Sequence, residues 1–333
     1  MNRDKMIFWL HELCQEHSAL VGKKCANIGE LTKAGFRVPQ GFALALSAYE
    51  EFLETTGVID KIHKHFAQFD ADPDNPEDLP RYVEAGKVVR AIFESETMPR
   101  HIADNVLEHY DELCRETGIR DVAVSTRSAG PASHPGQYET YLGVAGRSHV
   151  IDHIIKVWSS TYNTRSLVAR ARKGLPLEYD PIGVGVCKMV NARAAGVMFT
   201  ADPNTADASR ILIEGTWGLG EGVVSGSVIP DGWVVNRPRF EIIERRLSSQ
   251  YNDPGLDSRE SKTAPPMNTS DDQKGCLRDD EVCELAKTGE RIEKYFGMPQ
   301  DIEWALDIDS DPDESIVILQ ARPEKFKIDF ISF

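Results

Sequence analysis

Several features that commonly declare a protein's class are missing from this 333-residue chain. There is no Cys-x-x-Cys pair and no histidine at zinc-finger spacing. The six cysteines (Cys14, Cys25, Cys114, Cys187, Cys276 and Cys283) are scattered, which argues against structural zinc and a disulfide scaffold and points to a reducing, cytoplasmic compartment. No stretch approaches the roughly 18 consecutive apolar residues of a membrane span. The run Met6-Ile7-Phe8-Trp9-Leu10 is too short for a secretory signal and has no small-residue cleavage site, so a soluble protein is expected. Positive charge is also scarce: 38 Lys and Arg against 53 Asp and Glu leave a formal charge of −15. A general nucleic-acid or anionic-membrane surface is thereby excluded, and an anionic ligand would need a local cationic pocket. No G-x-x-x-x-G-K-[ST] occurs, which sets aside a P-loop enzyme, and no G-x-G-x-x-G follows a strand.

What is present centres on Asp301-Ile302-Glu303-Trp304-Ala305 and Ile316-Val317-Ile318-Leu319-Gln320-Ala321-Arg322-Pro323-Glu324. Both runs read as strands, and the acidic, Pro-containing piece from Asp307 to Glu314 reads as a turn, which predicts a β-hairpin. Side chains two apart share a face, so Asp301 lies with Glu303 and Gln320 with Arg322. A hairpin closing symmetrically sets Asp301 opposite Arg322 and Glu303 opposite Gln320. Two carboxylates and an amide suit Mg²⁺, and a guanidinium fork suits phosphate. On this stretch alone a surface salt bridge remains an equal reading.

Along the chain, Gly22 to Leu31 enters a helix that Gly35 is placed to end, with Lys24 in the loop or first turn, where a cation makes sense if an anion is expected. Ser47-Ala48-Tyr49-Glu50 fits a capping box. Asp70 to Pro80 reads as an acidic loop, and Pro99 to Gly118 as an amphipathic helix. A Val122-Ala123-Val124 strand leads into a hydroxyl-rich loop, Ser125 to Gln137, that contains Arg127 and could approach phosphate; a strand follows from Tyr138 to Val144. Next come a helix from Val157 to Lys173, with Arg165, Arg170 and Arg172 at its basic end, and strands at Ile182 to Val190 and Ala195 to Thr200. The strand Ile211 to Glu214 runs into a Gly-rich bend, Gly215 to Gly222, carrying Glu221, which could meet a ribose hydroxyl or a metal or could simply sit on a surface turn. Ser248 to Lys274 reads as a mobile polar insertion and Asp279 to Phe296 as a helix.

Taken together, these segments resemble the N-terminal nucleotide-binding part of the phosphoenolpyruvate synthase and pyruvate phosphate dikinase family. The likeness is carried by Val21 to Glu30 with Gly35 to Phe42, Gly136 to Leu142, Gly196 to Thr200, Gly218 to Glu221 with Pro230-Asp231, and the two hairpin strands. It implies an α/β, ATP-grasp-like fold of the pyruvate phosphate dikinase type, with an N-terminal lobe (1–180), a C-terminal lobe (181–333) and nucleotide in the cleft between them. It also implies ATP with Mg²⁺, or Mn²⁺, as cofactor. By position, Lys24 resembles the phosphate-binding lysine. Asp301, Glu303 and Gln320 resemble the metal and nucleotide groups, Arg322 a phosphate group, Glu221 a nucleotide contact, and Lys188-Met189-Val190 the strand that meets adenine. Ser125 stands where the family places an arginine directly after Val-Ala-Val, so Arg127 is expected to substitute.

Family members pass phosphate from ATP to a histidine in a Thr-Ser/Cys-His-Ala-Ala setting, and none of the nine histidines here has it. The resemblance therefore implies a charging module whose histidine-bearing partner is a separate subunit. Such an arrangement resembles phenylphosphate synthase, with phenol as acceptor and AMP and phosphate released; alkylphenols, benzylic alcohols or pyruvate are the alternatives. His134 is the internal candidate acceptor. A nucleotide sensor without chemistry and an acyl-phosphate-forming ligase are the competing classes.

Overall fold

The computed structural model describes residues 5–130, 138–248, 275–311, 314–324 and 326. The chain forms two compact units. The first contains residues 1–33 and 40–189, and the second residues 34–39 and 190–333.

The first unit carries strands β1 (Ile7–Trp9), β2 (Gly41–Leu44), β3 (Val124–Ala129), β4 (Thr140–Val144) and β5 (Gly183–Lys188). They form one antiparallel sheet in the order β1-β2-β5-β3-β4. Because β5 is hydrogen-bonded between β2 and β3, the first unit extends to Met189 and the division falls there, not at 180/181. Eight helices accompany the sheet: α1 (Ser18–Val21), α2 (Lys23–Lys33), α3 (Leu46–Thr56), α4 (Val58–Phe66), α5 (Leu79–Glu94), α6 (Arg100–Thr117), α7 (Arg147–Ser159) and α8 (Thr164–Arg172). The core is aromatic, with Tyr49, Phe52, Phe93, Trp158 and Tyr162 stacked, edge-on or tilted against one another and fully buried.

Helix α6 follows its sequence pattern. Ile102, Val106, Tyr110 and Leu113 are its buried face, Pro99 precedes it, and Gly118 ends it at φ +66°. Three expectations fail, each for a visible reason. The hydroxyl-rich segment after Val124 is not loop: Ser125 to Ala129 continue β3, paired throughout with β5 on one side and, as far as Arg127, with β4 on the other. Sheet pairing on both flanks overrides a composition that suggests a turn, and Thr126 and Ser128 point inward, fully buried. The helix expected over Val157 to Lys173 is broken, because extended Asn163 accepts the Ser166 N–H at 2.9 Å and caps a new helix, α8. Its basic end is not a ligand surface throughout: Arg170 is 4% exposed and donates to the Thr161 carbonyl at 2.8 Å. Finally, Ser47 caps nothing. Helix α3 starts two residues earlier, at Leu46 behind Ala45, leaving the Ser47 hydroxyl shut from solvent without a hydrogen-bond partner. The expected acidic loop at Asp70 to Pro80 is mostly exposed, but its end forms a single helical turn at Pro76–Asp78 and the start of α5.

In the second unit, β6 (Ala192–Phe199), β7 (Arg210–Trp217), β8 (Asp231–Asn236), β9 (Glu241–Arg246), β10 (Gln300–Asp307) and β11 (Ile316–Pro323) make an antiparallel sheet. Its order is β11-β10-β6-β7-β8-β9. Short α9 (Glu221–Ser225) follows β7, and α10 (Asp279–Phe296) turns Val282, Leu285, Ala286 and Ile292 into the core. The expected insertion at 248–274 lies outside the described residues except for Ser248. Ser248 and Cys276, which flank it, both donate N–H groups to the buried Asp231 carboxylate, at 2.7 and 2.8 Å. Residues 34–39 belong to this unit because Ile318 donates to the Arg37 carbonyl at 2.8 Å and Arg37 pairs with Asp307 at 2.9 Å. Among the described residues no helix is long and apolar enough to cross a membrane.

Replacing Ser47 with Ala tests the revised start of α3. Removing an unpartnered hydroxyl should leave the unfolding free energy within about 0.5 kcal/mol of wild type or raise it, whereas a true cap would lose about 1 kcal/mol; urea denaturation distinguishes the two.

Candidate functional site

The hairpin forms as its alternation requires. Cα partners across β10 and β11 are Asp301 with Arg322 and Glu303 with Gln320, and the register shifts only beyond Glu303, where Trp304 faces Ile318. The shift makes Leu319 the extra residue, so the polar quartet lies on the regular side of a β-bulge. Below it Ile302 and Trp304 are buried and hold the strand down. Arg322 directs Nε and Nη2 onto one oxygen of Asp301, at 2.8 and 2.5 Å. The Asp301 side chain is only 13% exposed. Burial raises its carboxyl above the usual range; the Arg322 guanidinium opposes this and the Glu303 charge adds to it.

Gln320 is buried beside this pair and Glu303 is half-buried. Among the described residues no group of three or more His, Cys, Asp or Glu could hold a metal ion. The hairpin is thus no all-protein cage, but two carboxylates and an amide oxygen fit Mg²⁺, which keeps waters and takes further oxygens from phosphate. Mn²⁺ would find the same oxygen donors.

Sequence pattern does not single out Glu324, which follows the hairpin. Its N–H donates to the Pro299 carbonyl at 2.9 Å, and both carboxylate oxygens are shut from solvent. Burial pushes its carboxyl up to about 7, the Ala201 N–H opposes this, and the charges of Asp301, Asp202 and Glu293 add to it. The only sequence signal is an acid two residues beyond Arg322, and its surroundings come from three other segments.

In the first unit, Lys24 and Arg127 come together around one thiol. Gly22, at φ +81°, breaks α1 from α2 and lies so close to β3 that a Cβ there would sit 2.0 Å from the Ala129 carbonyl oxygen. The Lys23 N–H then donates to Gly130 at 3.1 Å, which fixes the first turn of α2 against the end of β3. Lys24 is half-buried in that turn and Cys25 behind it is fully buried. Burial pushes the Cys25 thiol up to about 12 with help from Cys187, while Arg127 and Lys24 both pull it down. Lys24 adjoins Cys25 in the chain, and Cys25 Sγ and Arg127 Cγ both lie within 3.4 Å of the point where a Cβ on Gly185 would stand. Arg127 is the fourth residue of β3, so the offset that Ser125 suggested comes from starting the strand at Val122 when it begins at Val124.

The remaining expected residues are placed less informatively. The N–H groups of Lys188 and Met189 donate to Gln40 and Ala123 at 2.8 and 2.9 Å and are committed to the first unit's sheet, while Val190 already belongs to the second unit. Glu221 opens α9 behind Gly218 at φ +71° and is exposed; Gly220 lies against β6, where a Cβ would come 3.3 Å from the Gly196 nitrogen. His134, Gly136 and Gln137 lie outside the described residues. Tyr138 and Glu139 follow them, and Glu139 is held by both Nη groups of Arg90 at 2.6 and 2.9 Å. A cavity of about 430 Å³ between α5 and the start of α8 is lined by Lys87, Arg90, Glu94 and Asn163 among others, and by none of the expected site residues.

Residues 18–329 match the family described as pyruvate phosphate dikinase, AMP/ATP-binding domain. The chain is similar to a probable phosphoenolpyruvate synthase of Methanocaldococcus jannaschii, at 35% identity over 325 residues, covering 96% of this chain and 26% of that protein. It is also similar to phosphoenolpyruvate synthases of Aeropyrum pernix (35% over 350 residues) and Pyrococcus furiosus (34% over 358 residues), with 96% of this chain matched in each case and 42% and 44% of those proteins. The chain thus spans less than half the length of these relatives.

Glu324 supplies a pH test. With its folded pKa near 7 against an ordinary 4.5, its contribution to stability is intact below about 4.5 and is lost as pH rises through 7. Wild type should therefore lose unfolding free energy relative to Glu324→Gln between pH 4.5 and 8 in denaturant titrations; parallel pH profiles would contradict the assignment.

Proposed function

The chain belongs to the pyruvate phosphate dikinase AMP/ATP-binding domain family, and from that premise we propose that it binds Mg·ATP and delivers a pyrophosphoryl group to a histidine lying outside these 333 residues, on a partner subunit. The observation that carries the reading is the hairpin quartet, in which a guanidinium held by one carboxylate stands beside a second carboxylate and a buried amide. In such a transfer an imidazole nitrogen attacks the β-phosphorus of ATP, the bond from that phosphorus to the oxygen bridging to the α-phosphate breaks, AMP leaves with that oxygen, and the imidazole gives up its N–H proton.

Phosphoryl-type transfer asks a protein mainly for positioning and charge neutralisation. Asp301, Glu303 and Gln320 are the residues that would hold Mg²⁺, which when bound screens the phosphate oxygens. Arg322 turns from Asp301 toward phosphate, and Lys24 and Arg127 neutralise the remaining charge. Glu221 and the segment Lys188-Met189-Val190 are assigned to the nucleoside. Of the last, only groups other than the Lys188 and Met189 N–H donors are open to adenine, because those two are spent in the sheet.

For the final acceptor we propose phenol, giving phenylphosphate and phosphate after hydrolysis of the pyrophosphoryl-histidine. This reading is supported by the short Ser133-His134-Pro135-Gly136-Gln137 segment. The names of the archaeal relatives favour pyruvate as the second reading.

With β-labelled ATP, Mg²⁺ and the histidine-bearing partner, acid-labile label should appear on the partner and AMP in solution. Label on His134 of this chain, or ADP as product, would contradict the proposal. Arg322→Ala should slow that labelling about 10²- to 10³-fold, and adding phenol or pyruvate to the labelled partner decides between the two acceptors by which one discharges it.

A further inference from the structure

We propose that Gly185 is a positioning residue for phosphate binding: by lacking a side chain it lets Cys25 and the Arg127 stem share one space, which sets Lys24 and Arg127 side by side. The inference rests on the assignment of those two cations to the ATP phosphates. Gly185 is the Cα partner of Arg127 across β5 and β3. A Cβ built on it would lie 3.0 Å from Cys25 Sγ and 3.4 Å from Arg127 Cγ. The sulfur would have to give by a few tenths of an ångström, with the Arg127 stem in van der Waals contact on its other side. Arg127 is on the strand opposite, and Cys25 is the residue after Lys24 on α2.

The arrangement extends beyond one residue. Gly183, two residues earlier on the same face of β5, would place a Cβ 2.6 Å from the Val21 carbonyl oxygen at the end of α1. One turn further along α2 from Cys25, Gly29 would place one 2.6 Å from the Leu10 and Leu13 carbonyl oxygens. The backbone leading into α2 therefore rests on β5, and the next turn of α2 packs closely on residues 10–13. Interior glycines weaken a strand and mark places where another segment comes close. Cys25 is fully buried at that contact, with the Arg127 stem beside its sulfur and Lys24 next to it in the chain. A shift of α2 or of the Arg127 stem by a few tenths of an ångström changes the spacing of both positive charges at once.

The test compares Mg·ATP and adenosine binding by calorimetry for wild type, Gly185→Ala, Cys25→Ala and the double variant, with Lys24→Ala as control and melting temperatures measured for all. Gly185→Ala should weaken Mg·ATP binding about tenfold and leave adenosine binding unchanged, because only the phosphate-facing charges move. Adding Cys25→Ala removes the sulfur that the new methyl group meets and should restore Mg·ATP affinity to within about threefold of wild type. Cys25→Met, which fills the same space from the other side, should reproduce the selective loss and serves if Gly185→Ala does not fold. Unchanged ATP affinity in Gly185→Ala, equal losses for ATP and adenosine, or failure of Cys25→Ala to restore binding would each overturn the inference while leaving the ATP assignment standing. Unchanged ATP affinity in Lys24→Ala would overturn the assignment itself, and this inference with it.

Discussion

The Asp301–Arg322 pair is the interaction on which the second unit's chemistry depends. It joins two strands at the regular end of a hairpin, with one carboxylate oxygen accepting both guanidinium N–H groups. Because Asp301 is largely buried, removing its partner would leave a poorly solvated charge. If Arg322 is to move, another positive charge must take its place. On the proposed reading a divalent cation arriving with a polyphosphate would supply that replacement, and the phosphate would give Arg322 a new acceptor. Such an exchange would satisfy all four charges, and the Trp304 side of the strand, packed in the core, keeps the hairpin register.

The first unit meets the same requirement by a different route. A chain with a net charge of −15 must concentrate positive charge locally to hold an anion. At the proposed phosphate site it would do so through close backbone approach. Gly22 brings the first turn of α2 onto the end of β3, and Gly183 and Gly185 let α1 and α2 rest on β5. Lys24 stands in the first turn of α2, where the helix dipole disfavours a cation, and an anion bound there, as proposed, would offset that cost.

Much of this was legible in the sequence where the signal is local. The hairpin register followed from a two-residue period and a single turn, and α6 and α10 from apolar residues at helical spacing closed by Gly118 and Gly297. The family resemblance rests on the same segments, which is why ATP binding could be expected before the fold was known. What sequence did not show depends on distant partners. Ser125 to Ala129 look like loop until both neighbouring strands are in place, and Ser47 looks like a cap until Ala45 takes that position. Glu324 is an ordinary glutamate except for the Ala201, Asp202 and Glu293 environment around it. Gly185 signals only a weak point in a strand, and its meaning comes from Cys25 and Arg127, which are far away in sequence.

The central claim, that the hairpin exchanges an internal ion pair for a metal-bound polyphosphate, is tested most directly by a crystal structure of the chain with Mg²⁺ and a non-hydrolysable ATP analogue. The account expects Arg322 on phosphate oxygens and a metal about 2.1 Å from carboxylate oxygens of Asp301 or Glu303. A bound nucleotide with the Asp301–Arg322 pair intact and no metal on these carboxylates would contradict it.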